Sequence, residues 1–172
     1  RIGFDGVTVG IASQSGASVH VSSVTGTDVA LAVAASDSDA LNLETMVIQG
    51  HRLLLANGAS MIAGDDITFV SDLNETRAVI DQRCSGTCSW NDLSPANTTW
   101  GVALSGTGTH TFSNTTLAST QRNLDATGTG HVALTNVDLS GSNAAMSLRG
   151  PSSHVQRATI SLQSSLAHQH AK

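Results

Sequence analysis

Charge, aromatic side chains and proline are all scarce in this chain of 172 residues. Charged residues make up 12%, aromatics 3% with no tyrosine, and proline occurs twice. A typical globular domain carries about 25% charged residues. With two glutamates and the single Lys172, the chain lacks the side chains that solvate the outer faces of a helix bundle, so that class is excluded. The eight cations are spread along the sequence against 13 acids, for a net charge of −5. With no run of basic residues to displace counterions from phosphates, neither nucleic acid nor an anionic membrane surface is an expected partner. No apolar run reaches the length of a membrane-spanning helix. The chain opens on Arg1 rather than methionine and shows no signal-peptide pattern, so it is expected to be a processed chain or an excised fragment.

What is abundant points elsewhere. Hydrophobic residues reach 40%, many of them β-branched, which excludes the disorder that low hydrophobicity and high charge produce. Glycine contributes 16 residues, and serine with threonine about a quarter of the chain. The length suits one domain, expected over residues 1–166 with a tail over 167–172.

A repeat organises these residues. Gly106 to Leu117, Thr127 to Leu139 and Gly150 to Leu162 each read as a small-polar turn followed by an alternating strand. Leu117, Leu139 and Leu162 align at spacings of 22 and 23, as do Asn114, Asn136 and Thr159. The same beat sets Val19 to Val24 one period before Leu41 to Met46, with Ile67 to Val70 about one period further on. Turn clusters at 15–18, 36–39 and 57–60 separate the strands. Short alternating strands under a period of about 22 residues predict a parallel β-helix of seven to eight coils, each lying about 4.8 Å from the next. An antiparallel sandwich or barrel is the rival; it needs hairpin turns, for which Asn57-Gly58 is the lone dipeptide signal.

The beat breaks between about Asn74 and Trp100, where both cysteines, both tryptophans and Pro95 lie. A loop excursion from the solenoid is expected there. Cys84 and Cys88 bracket three residues with a central glycine, a spacing that predicts a small disulfide loop in an oxidising compartment rather than half a zinc site. Insertions of this kind often form the binding face of a solenoid. Trp90, Asn91, Asp92 and Trp100 are therefore the candidate binding residues, against the plainer reading that the indoles fold back over an apolar coil edge.

These phrases resemble the passenger domains of bacterial autotransporters, the pertactin-like ones above all. The segments that carry the likeness are Gly16 to Val21, Leu53 to Ser60 and Ser153 to Ile160. Ala63 to Phe69 has the texture of filamentous-haemagglutinin-like secreted proteins. The resemblance implies a right-handed parallel β-helix, secreted or on a bacterial cell surface, acting in adhesion, virulence or contact with a host protein or glycan. The outer-membrane barrel of that family is not among these residues.

Chemistry is thinly represented. Asp65 and Asp66 are adjacent and would point to opposite faces of a strand, while Asp37 and Asp39 sit in a turn. His110, His131 and His154 recur at the coil period, but the leucine alignment puts His110 one place out of step, so stacked polar positions explain them better than a metal site. Gly106 to Thr109 and Thr127 to Gly130 lack the strand-to-helix context of a phosphate loop. The sequence thus predicts a non-catalytic surface segment with no metal and no cofactor. End-to-end self-association of open coils is the second reading, and a polysaccharide-degrading or tailspike-type enzyme is the third.

Overall fold

The computed structural model describes residues 1–71, 78–128, 130–140, 144–149, 154–156 and 160–161. Every described residue in regular structure is β. The strands are β1 (Ile2–Asp5), β2 (Val9–Gln14), β3 (Ser18–Ser36), β4 (Ala40–Ser71), β5 (Ala78–Ala96), β6 (Thr98–Gly106), β7 (Thr109–Gly128), β8 (His131–Ser140), β9 (Ala144–Arg149), β10 (His154–Gln156) and β11 (Ile160–Ser161). The longest exceed a single coil, because hydrogen bonding continues around the corners. All described pairings are parallel, in one 11-stranded sheet. The chain is a parallel β-solenoid, and the antiparallel rival is excluded.

The coil period emerges from the register. Ile11, Val33, Leu54, Ile80, Val102, Leu124 and Met146 stack in one column. Seven residues in a column enclose six turns, and about six turns of some 22 residues are what the described residues form. The expectation of seven to eight coils overcounts. Pairs such as Leu54 with Ile80 and Ile67 with Leu93 are offset by 26, not 22. One coil therefore takes four extra residues, inserted between Val70 and Ala78.

That insertion is all that remains of the expected excursion. Residues 74–77 lie outside the described residues, but Ala78 to Trp100 belong to regular coils. Cys88 stacks on Ile62 and under His110; Trp90 stacks on Gly64 and under Phe112. The unusual composition of this stretch reflects what fills the interior, not a departure from it.

Corners are made by residues with positive φ. Ser23, Thr45, Asp66, Asp92, Asn114 and Asn136 recur at one corner with φ between 48° and 57°. Asn and Asp tolerate this left-handed conformation better than other non-glycine residues, which explains their recurrence. The expected turn clusters mark another corner, through Ser15, Asp37 and Gly58. Asn57 and Gly58 turn a coil there rather than a hairpin.

The core is one continuous apolar axis. Val33, Leu41, Leu43, Met46, Leu54, Ile80, Leu93, Val102, Leu117 and Leu124 are fully buried within it. Each such side chain gains about 1.5–3 kcal/mol relative to exposure. Ile2 on β1 and Val9 on β2 are 45% and 44% exposed.

Candidate functional site

Stacking separates the four sequence-predicted binding residues. Trp90 is 1% exposed. It packs over Gly64, where an added Cβ would lie 2.2 Å from the indole Cε3, so only glycine leaves room for the ring. Its Nε1 donates to Gln82 Oε1 at 3.0 Å, and Gln82 Nε2 donates to His110 Nδ1 at 3.0 Å. His110 also makes a backbone hydrogen bond with Ser105 and is held neutral, its pKa lowered to about 4 chiefly by burial. Trp90 is thus a core residue with a satisfied polar edge and is unavailable for stacking on a ligand, which corrects its assignment as a binding residue.

Asn91 and Asp92 lie at the asparagine corner. Asn136 Nδ2 donates to Asn114 Oδ1 at 2.8 Å, Asn114 Nδ2 to Asn91 Oδ1 at 3.0 Å, and Asn91 Nδ2 to Asp65 Oδ1 at 2.7 Å. This ladder spans four coils and pins their corners in register, as amide ladders do in other stacked sheets. Asp92 is exposed and lines an open groove of about 490 Å³ with Asn114, Thr116, Asn136 and Asp138.

The histidines separate as the leucine alignment implies. His131 pairs with Thr109 and with His154, one place away from the buried His110, which pairs with Cys88 and Val132. Among the described residues no group of three or more His, Cys, Asp or Glu side chains is placed to hold a metal ion. The disulfide Cys84–Cys88 forms with both residues buried, and it clasps the corner Ser85 to Thr87 inside the stack.

Trp100 belongs to a different face, where the structure gathers what the sequence scatters. Ala78, Trp100, Arg122 and Ala144 form one column, and Arg52 reaches its head by donating from Nε to the Ala78 carbonyl at 3.2 Å. Asp81, Ala103, Asp125 and Ser147 form a second column. Arg83, Ser105, Thr127 and Arg149 form a third. Four arginines therefore gather in neighbouring columns, Arg83 and Arg149 exposed, Arg122 half-buried and Arg52 buried, although the chain carries a net charge of −5. The expectation that the cations stay dispersed fails, because coil stacking brings together residues 66 or 70 positions apart.

The groups on this face are coupled. Arg122 Nη1 and Arg149 Nη2 both donate to Asp125 Oδ2, at 2.6 and 2.8 Å. The Arg122 guanidinium lies 5.1 Å from the centre of the Trp100 ring, a cation–π contact. Asp125 is 5% exposed, and among the described residues its Oδ1 and Trp100 Nε1 are buried without a hydrogen-bond partner. Arg52 pairs with Asp81 at 3.3 Å. Arg83 is exposed and borders a groove of about 400 Å³ lined also by Asp37, Asn57, Ser85 and Thr107. Such a surface can present guanidinium groups to anions and hydroxyls to a hydrated ligand.

Fold and site together define a disulfide-clasped parallel β-solenoid with one arginine-rich face. Comparison with family models, with curated proteins and with solved structures finds no match.

Proposed function

We propose that this chain is an extracytoplasmic, non-catalytic β-helix segment of a secreted or cell-surface adhesin, of the autotransporter-passenger kind, whose flat faces engage a host or glycan surface. The observation that carries the reading is the rigid arginine face around Trp100, which displays binding groups at fixed intervals without a loop to order. Anchors held by a packed sheet lose little conformational freedom on binding, so fewer contacts suffice. The Cys84–Cys88 disulfide supports an oxidising compartment, where such bonds persist. The test is display of the chain on beads that are then offered to epithelial cells and to an array of glycans. Retention above uncoated beads supports the reading. No retention on either, or release of free sugar from any glycan, overturns it.

A second reading is favoured by the N-terminal coil. Among the described residues Ile2 on β1 and Val9 on β2 are 45% and 44% exposed, an apolar surface that a second copy would cover. Sedimentation equilibrium over a hundredfold concentration range separates the readings, because a constant monomer mass excludes end-to-end stacking.

A further inference from the structure

We infer that the arginine face binds a linear acidic polysaccharide lying along the solenoid axis, with its anionic groups on Arg83, Arg122 and Arg149 and its hydroxyls on the small polar residues between them. The inference rests on the adhesive reading and names its ligand.

Spacing is the first argument. Arg83 and Arg149 stand three coils apart in one column, and Arg52 and Arg122 three coils apart in another. At about 4.8 Å per coil each interval is about 14 Å. Ser105 and Thr127 fill the rungs between Arg83 and Arg149. The column is therefore a ruled line of cation, hydroxyl, hydroxyl, cation. An extended sugar chain with intermittent carboxylate or sulfate groups presents the complementary pattern.

Charge density is the second argument. The strands of this face carry four arginines and two aspartates, Asp81 and Asp125, for a net of +2 over four coil steps, about 19 Å. Duplex DNA carries one charge per 1.7 Å, or about 11 over that length, and would set its phosphates against both aspartates. A polysaccharide with sparse charges avoids that repulsion.

The third argument is unspent bonding capacity. Arg83 has no ion-pair partner among the described residues, and the Arg149 side chain is 61% exposed at the rim of its pair with Asp125. Turning Arg149 outward uncovers the Asp125 carboxylate, whose Oδ1 has no partner among the described residues. A ligand that offers an anion to Arg149 and a neighbouring hydroxyl to Asp125 satisfies both groups at once. Charged groups that gain a charge-assisted hydrogen bond contribute more than neutral ones.

The experiment measures binding of the full chain to hyaluronan, with carboxylates on alternate sugars only, to keratan sulfate, whose charge is sparse sulfate, to neutral dextran and to a single-stranded oligonucleotide, at two salt concentrations. The inference expects salt-sensitive binding to hyaluronan or keratan sulfate, with the preferred one identifying the anionic group, and little to dextran or the oligonucleotide. Arg83→Ala and Arg149→Ala are each expected to weaken that binding roughly fivefold, and the double variant roughly twentyfold. Both positions are at the surface, and unchanged thermal unfolding confirms the fold. Absence of binding to both acidic glycans, equal binding by the double variant, or tighter binding to the oligonucleotide overturns the inference. Retention of the double variant on cells at the native level overturns it while leaving the adhesive reading intact, whereas loss of all cell and glycan retention by the native chain removes that reading itself.

Discussion

Two interior columns of this solenoid solve the same packing problem in opposite ways. The column from Ile11 to Met146 repeats similar aliphatic side chains, each lying on its like. The column Gly64, Trp90, Phe112, Leu134 pairs the smallest residue with the largest and then tapers. The first tolerates exchange among aliphatics, because volume is conserved rung by rung. The second does not: the Trp90 ring occupies space that Gly64 vacates, and its Nε1 is tied through Gln82 to His110. Regular coils therefore do not require a regular interior. A local mixture of sizes is accommodated where neighbouring rungs compensate and every buried polar group on the edge finds a partner.

The sharpest break of this contrast is Trp90→Ala. It leaves a cavity and removes the donor to Gln82 Oε1, so a loss of about 4 kcal/mol or more is expected in urea unfolding. Leu124→Val in the aliphatic column should cost roughly 1 kcal/mol. Equal costs for the two would erase the distinction drawn between the columns.

Acid probes the polar edge of the mixed column. His110 titrates at about 4 in the folded chain, below its ordinary 6.5, because burial disfavours the imidazolium and outweighs the backbone bond with Ser105. The unfolded chain takes up this proton first. The contribution is intact above pH 6.5 and declines as pH falls towards 4, by about 3 kcal/mol in total. Urea midpoints at pH 7 and pH 4.5 should differ accordingly. His110→Val, which matches the neighbouring Val132, should begin less stable at pH 7 but lose less on acidification.

The clasp and the corner ladder give smaller effects. Replacing Cys84 and Cys88 by alanine opens a loop of only a few residues, and about 2 kcal/mol is expected from the lost constraint, read as a lower thermal midpoint. Asn114→Ala breaks two ladder bonds at an exposed corner and puts alanine at a φ of 48°, for about 1 kcal/mol. A larger effect from Asn114 than from the cysteines would mean that the corners, not the interior, govern the stability of the stack.

Much of this architecture was legible in the sequence. The 22-residue spacing of Leu117 and Leu139 is a true register, and the same alignment correctly places His110 out of step with His131. The excursion was misread because cysteine, tryptophan and proline look foreign beside alternating valines. Yet Cys88 and Trp90 stand 22 residues before His110 and Phe112, and that offset carried the answer. The arginine face was harder to see. Arg83 and Arg149 differ by three periods, but Arg52 and Arg122 are linked across the 26-residue coil, so no fixed period aligns all four.

Both the fold and the binding face depend on Arg83 and Arg149 occupying one column. The direct measurement is the distance between spin labels on cysteines introduced by Arg83→Cys and Arg149→Cys, with the native disulfide left intact. Stacked coils place the two backbone sites three rungs apart, about 14 Å, within the range of dipolar broadening. A separation more than twice that, or a broad distribution, would contradict the stacking and remove the arginine face with it.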